Sequence, residues 1–219
     1  PKIFNACAAT EEEIRMALAQ NAHIVLDSLA QAQLVSSLAP PKTKVGVRVG
    51  FDTKKFGISP KELKSFLAVC KKSGLEVNLL HAHPGTNVPI KEYERFCSRL
   101  AGILVDFPPV QFLDLGGGIP GAHGLKQRGN ALEDYASVVH THLGGHLKTK
   151  TLILETGRFL VEDAMVLLSR VQHIKETPDK PLAFLDVGIN VLSRVTMSSY
   201  VFTSLSQSGE EKHHFRLAG

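Results

Sequence analysis

Short apolar runs rich in β-branched residues recur along this chain, separated by amphipathic stretches, and that alternation limits the possible folds more than any other feature. The runs fall at residues 2–5, 23–27, 44–49, 77–83, 112–115, 152–155 and 182–187. Most are apolar on both faces, as strands are when helices cover both sides of a parallel sheet. Seven βα-like units in order, with no long linker, predict an α/β chain that forms most of a (β/α)8 TIM-type barrel over residues 1–219. A doubly wound open sheet is the structural competitor.

Helix signals separate the strands. Thr10 and Glu13 form a capping box, in which each side chain satisfies a backbone amide at the helix start. Ser59-Pro60-Lys61-Glu62 repeats that pattern with Pro at the first helical position. Leu63, Phe66, Leu67 and Cys70 then lie at i, i+3, i+4 and i+7, which makes one buried stripe, and Gly74 ends the helix. Asn130 with Glu133 opens another helix that runs towards Gly144-Gly145. Cys70 reads as core.

Composition narrows the function classes. The 219 residues are 43% hydrophobic with a formal charge of +4, too small and too scattered for a nucleic-acid surface, and no apolar run reaches the ~18 residues of a membrane span. Cys7, Cys70 and Cys97 form no C-x-x-C pair and no disulfide framework, so a cytoplasmic setting is expected. The chain opens on Pro1 and a strand-like run, which suggests a start within the fold.

A barrel does its chemistry at the carboxyl ends of its strands. Here those ends carry Asp27-Ser28, Arg48, His81-Ala82-His83-Pro84-Gly85-Thr86, Asp114-Leu115-Gly116-Gly117-Gly118, Glu155-Thr156-Gly157-Arg158 and Asp186-Val187-Gly188. Such groups are costly to bury unpaired, so their recurrence at one end is informative. Gly116-Gly117-Gly118 lets backbone amides approach an anion, and Arg158 adds a planar cationic donor; together they read as a phosphate site. His81 and His83, two apart, have a spacing that also suits a metal-dependent hydrolase. A phosphate-bearing aromatic cofactor accounts for the glycines, the Arg and the imidazole together. Glu155 beside such a site suits a pyridinium nitrogen, whose retained proton makes the ring an electron sink.

At these residues the chain resembles the fold-type III, pyridoxal-phosphate-dependent decarboxylases of ornithine, arginine and diaminopimelate, whose barrel is similar to that of alanine racemase. The resemblance is carried in order by residues 3–5, 25–28, 47–49, Lys55-Phe56-Gly57, the His81 to Thr86 stretch, Gly116 to Pro120, Glu155 to Arg158 and Asp186 to Asn190. It implies pyridoxal 5'-phosphate as cofactor, with His83 stacked on its ring and Glu155 facing the ring nitrogen as the catalytic pair. Arg48 would lie near the ring; Thr86, Gly116, Gly117, Gly118, Thr156, Gly157 and Arg158 would hold the phosphate end, Arg158 reaching the substrate as well. The stretch from Asp186 is most similar to the diaminopimelate branch, and there Arg194 would meet a substrate carboxylate. The implied reaction is decarboxylation of a diaminopimelate-, ornithine- or lysine-like amino acid by a homodimer.

The chain departs from the family pattern in places. Thr156 stands for the usual Pro, Pro84 for an aliphatic residue, and Ser198 for a Tyr of the diaminopimelate enzymes. The resemblance places the family's Schiff-base lysine upstream of Pro1, its catalytic cysteine after Gly219, and its carboxy-terminal β domain outside these residues; Lys55 belongs to the K-F-G element instead. A non-catalytic relative that acts by binding is the alternative from another class.

Overall fold

The structure is a computed structural model that describes residues 1–51, 55–162, 164–191, 202–205 and 214–219. It divides into two compact units, Pro1–Asp163 and Ala164–Gly219. In the first, six strands alternate with helices: β1 (Ile3–Phe4), α1 (Glu11–Ala19), β2 (His23–Leu26), α2 (Leu29–Leu38), β3 (Thr43–Val49), α3 (Leu63–Lys72), β4 (Leu75–Ala82) and α4 (Ile90–Asp106). They continue with β5 (Phe112–Asp114), α5 (Ala122–Gln127), α6 (Leu132–Leu147), β6 (Thr151–Ile153) and α7 (Gly157–Val161).

All six strands pair in parallel in the order β1-β2-β3-β4-β5-β6. A doubly wound sheet reverses its strand order at a switch point, whereas a barrel adds each strand beside its predecessor. The sequential order therefore decides for the β/α-barrel type, here as a six-stranded open part of one.

Strand periodicity sends alternate residues to opposite faces of this sheet, one towards the helices and one to the inside. Ile24, Leu26, Val45, Val47, Val49, Leu80, Ala82 and Leu113 join the main core with helix residues such as Ile14, Val35, Leu100 and Leu143. The alternate positions Val25, Leu79 and Phe112 form a separate apolar cluster with Ile3 and Ile153. Gly46 belongs to this inner layer, where a Cβ would lie 2.8 Å from Leu79 Cδ2, so the glycine makes room for its neighbour. Two residues further along the same strands the inner face turns polar, through Arg48, His81 and Asp114.

Local signals held in part. The Thr10 capping box is present: Glu13 N–H donates to Thr10 Oγ1 at 3.3 Å and Thr10 N–H to Glu13 Oε2 at 2.7 Å. The α3 stripe is buried, with Cys70 1% exposed and its thiol pushed by burial up to about 11, and Gly74 follows the helix at φ +74. The Ser59 box is corrected: α3 begins only at Leu63 after Glu62, and the Ser59 hydroxyl instead accepts from Lys61 N–H inside a preceding turn. Asn130 is not the cap of α6 either, because Ala131 holds that position and its N–H donates to Asp134 Oδ2 at 2.8 Å.

The second unit holds β7 (Val171–Lys175), β8 (Leu182–Leu185) and β9 (Arg216–Ala218), with β8 antiparallel to β7 and parallel to β9. This corrects the seventh expected βα unit, since the 182–187 run pairs in a separate three-stranded sheet. Asp186 Oδ1 accepts from Ser169 Oγ at 2.8 Å and from Arg170 N–H at 2.9 Å, so it fastens this hairpin. No described helix is long and apolar enough to cross a membrane.

Candidate active site

The polar layer sits at the carboxyl ends of β1 to β6, because each strand there continues its inward-facing register by two residues. His81 is paired in register with Arg48 on β3 and with Asp114 on β5, so the three side chains stand abreast. His81 and Asp114 are both fully buried. His81 Nε2 lies 3.8 Å from Glu155 Oε2 and 3.3 Å from Asn5 Nδ2, which joins the ends of β1, β4 and β6 in one cluster.

Charge in this layer is shifted in opposite directions. Burial, reinforced by Glu155, pushes the Asp114 carboxyl up to about 6, although His81 and the Gly116 N–H, which donates to Asp114 Oδ1 at 2.8 Å, favour its charged form. Glu155 is held below the usual carboxylate range, chiefly by the facing His81 ring and further by Asn5 and His83, against its own partial burial. Two neighbouring carboxyls thus divide into one easily protonated and one firmly ionised.

The triglycine loop lies directly beside Glu155. Its N–H donates to Gly116 O at 2.7 Å, and a Cβ on Gly117 would meet the Glu155 carbonyl oxygen at 2.7 Å. A Cβ on Gly116, which has φ +62, would lie 2.6 Å from His83 Cδ2. The ring of His83 therefore rests on glycine backbone that no other residue could replace without moving it. Its Nδ1 accepts from Gly85 N–H at 3.0 Å, which fixes the ring, and desolvation followed by the His81 and Arg48 charges lowers its pKa.

Arg48 forms the opposite wall. Its guanidinium lies 3.9 Å from Asp27 Oδ2 and 4.7 Å from the centroid of the Phe56 ring. The loop carrying Phe56 is tied back by Gly57 N–H, which donates to Asp27 Oδ1, and by a bridge from Ile58 to Val49. Lys55 Nζ also stacks on Phe56, at 4.8 Å.

The remaining sequence candidates are placed as follows. Thr86 is exposed in the loop after β4, Thr156 precedes α7, and Gly157, the first residue of α7, donates its N–H to Glu155 O at 2.8 Å. Arg158 is half-buried and donates to Glu162 Oε1 at 2.7 Å, so an ion pair holds its charge. Arg194 lies outside the described residues. The hydrolase reading on His81 and His83 changes in one member: among the described residues the group with metal-ligand proximity is His81, Asp114 and Glu155, while His83 Nδ1 accepts from Gly85 N–H. Asn5 escaped the sequence reading as a site residue, since nothing local links it to His81, 76 positions away.

Fold and site together define a β/α-barrel protein whose strand ends bring a triglycine loop, two carboxyls and two imidazoles together. The family described as pyridoxal-dependent decarboxylase, pyridoxal binding domain, matches residues 3–162, and the chain belongs to that family. The chain is similar to diaminopimelate decarboxylase of Methanothermobacter thermautotrophicus, at 27% identity over 212 residues, which covers 85% of this chain and 49% of that protein. It is 30% identical to diaminopimelate decarboxylase of Helicobacter pylori over 162 residues, covering 71% and 39%. The Paramecium bursaria Chlorella virus arginine decarboxylase structure superposes with a TM-score of 0.80 at 20% identity, covering 98% of this chain and 62% of that one. The chain spans about half the length of the curated relatives it matches.

Proposed function

We propose that this chain supplies the pyridoxal-phosphate-binding barrel of an amino-acid decarboxylase. The observation that carries the reading is Glu155: its carboxylate is favoured in the ionised form by the facing His81 ring, and it stands beside the Gly116-Gly117 loop on which His83 rests. These residues fit the cofactor on physical grounds. An ionised carboxylate favours a protonated ring nitrogen, and an imidazole held by Gly85 N–H and packed on glycine backbone has its other face for a flat ring.

When bound, pyridoxal phosphate supplies an electron-withdrawing ring that accepts the electron pair left as carbon dioxide departs. Glu155 holds a proton on the ring nitrogen. His83 covers one ring face and excludes water there, and Arg48, fixed by Asp27 and Phe56, places positive charge at the wall. The backbone of Gly116 to Gly118 and of Gly157, with Thr86 and Thr156, would hold the phosphate. Arg158, which pairs with Glu162, would add a cationic donor to that set. The relatives' names favour a diaminopimelate-like amino acid as substrate; Arg194 as its carboxylate partner and a cytoplasmic homodimer rest on the sequence resemblance alone.

Titration of the chain with pyridoxal phosphate, followed by absorbance and by quenching of tyrosine emission, tests this reading. One equivalent, bound saturably and displaced by pyridoxamine phosphate, is expected. Binding unchanged in a Gly116→Val variant that stays folded would refute it.

A further inference from the structure

Glu155 stands on the loop after β6, where a side chain swings unless a contact from outside its own loop holds it. One such contact comes from the far edge of the sheet. β1 and β6 are the two outermost of the six strands, yet Asn5, just after β1, reaches the His81 edge that faces Glu155. Asn5 Nδ2 lies 3.3 Å from His81 Nε2, which is 3.8 Å from Glu155 Oε2. An amide nitrogen carries two N–H donors, enough for the ring and for a carboxylate at once. Asn5 does favour the charged form of Glu155 by hydrogen bonding to it.

β1 alone holds Asn5 weakly. The strand is two residues long and pairs with β2 only through Ile3 with His23 and Phe4 with Ile24. Further order comes from Gln31, a polar side chain only 8% exposed that the proposed chemistry does not use. Gln31 Nε2 donates to Ala6 O at 2.8 Å, and Gln31 Oε1 accepts from Asp27 N–H at 2.8 Å. Ser28 and Gln31 have the S-x-x-Q spacing of a capping box, in which the Gln side chain turns back to the N–H of the capping residue. Ser28 does cap α2, since its Oγ accepts from Gln31 N–H at 3.2 Å, but the Gln side chain is directed instead to the loops after β1 and β2. Both ends of this buried amide are satisfied only while it joins those two loops.

We infer that Asn5 is a positioning residue for Glu155, seated by the buried Gln31, so that the carboxylate is aimed from the opposite edge of the sheet. This rests on the proposed role of Glu155 and adds what holds that residue in place. The contacts run on from Gln31 to Asp27, and through Asp27 to the Arg48 guanidinium and the Gly57 N–H. The Glu155 side and the Arg48 side of the site therefore share one buried amide as an anchor. The titratable groups that face Glu155 are His81 from β4, His83 from the loop after it and Asp114 from β5.

The test follows the Glu155 carboxyl by carbon-13 NMR between pH 3 and 8 in the chain without cofactor, with Glu155→Gln to assign the signal. Asn5→Ala removes the donor and should raise the Glu155 midpoint by about half a pH unit, roughly a threefold gain in proton affinity. Asn5→Asp puts an acceptor there and should raise it by about one unit or more, roughly tenfold. Gln31→Met, of similar length but without the amide, should move the midpoint the same way by less, and the double variant Asn5→Ala, Gln31→Met no further than Asn5→Ala alone. Circular dichroism and the histidine signals monitor the fold through the series. Asn5 is exposed, so its variants decide the inference even where Gln31→Met fails to fold. A Glu155 midpoint that ignores Asn5 or Gln31, or a double variant whose shift is the sum of the single ones, overturns it. A chain that passes this test but does not bind pyridoxal phosphate refutes the proposed function and leaves the positioning role standing; one that binds the cofactor and fails here refutes only the positioning role.

Discussion

Replacing Gly117 by Ala probes the closest approach in the site. The added methyl would lie 2.7 Å from the Glu155 carbonyl oxygen and 3.6 Å from His83 Nε2. Carbon–oxygen contacts settle at about 3.3 Å or beyond, so the two loops must part by roughly 0.6 Å. That carbonyl cannot yield freely, because it accepts from Gly157 N–H at 2.8 Å and its residue's own N–H donates to Gly116 O at 2.7 Å. Overpacking of this kind costs about 1–3 kcal/mol, and the lost backbone freedom of the unfolded chain returns about 0.4–1 kcal/mol. The net effect is a destabilisation of about 1–2 kcal/mol, which lowers Tm by roughly 2–8 °C at this chain length. Cofactor affinity should fall at the same time, since the movement displaces Glu155 from the glycine loop. Calorimetry and cofactor titration measure both. Gly145→Ala is the matched control: a Cβ at this exposed position of α6 meets nothing within 4 Å, so it should stabilise by about 0.5–1 kcal/mol. A Gly117→Ala chain as stable as wild type, with unaltered affinity, would refute the reasoning.

Asp114 gives a pH prediction. Its folded-state value of about 6 lies above the ordinary 3.8, so the folded chain binds the extra proton and this contribution to stability is present below pH 4 and lost as pH rises through 6. Asp114→Asn, which keeps the bond to Gly116, should therefore stabilise the chain at pH 7.5 by up to about 3 kcal/mol and by much less at pH 4, measured by urea unfolding at both pH values. Among the thiols, Cys7 is exposed while burial pushes Cys70 up to about 11 and Cys97 up to about 12, so a disulfide reagent at pH 8 should label one equivalent quickly and the other two only on unfolding. The Tyr135 hydroxyl donates to Val88 O at 2.7 Å in a buried setting, and Tyr135→Phe should cost about 0.5–1.5 kcal/mol in denaturant titration.

The short continuous apolar runs were legible because a parallel strand buried on both faces has no polar alternation, and six of the seven runs became neighbours in one sheet. The exception, 182–187, shows the limit: an apolar run reports burial and not which sheet it joins. Strand β7 left no such run, since Val171–Lys175 is exposed throughout and mixes Gln172, His173 and Lys175 with its apolar residues. Helix starts misled at Ser59 and Asn130, where a residue able to cap was satisfied by a turn or displaced by Asp134. At the site, residue types were readable and partnerships were not. Glu155, His83 and the glycines stood out by position after strands, but the contacts of His81 with Asn5 and of Arg48 with Asp27 join elements distant in sequence. Arg158 read as a phosphate donor, and its partner Glu162, four residues on, closes their pair only once α7 forms.

The central claim is that Glu155 recognises a protonated ring nitrogen, and one comparison isolates it. The affinities of wild type and Glu155→Gln are measured for pyridoxal phosphate and for its analogue in which the ring nitrogen is replaced by C–H. The account predicts that wild type prefers pyridoxal phosphate by tenfold or more and that the variant loses most of that preference; equal discrimination by both chains would contradict it.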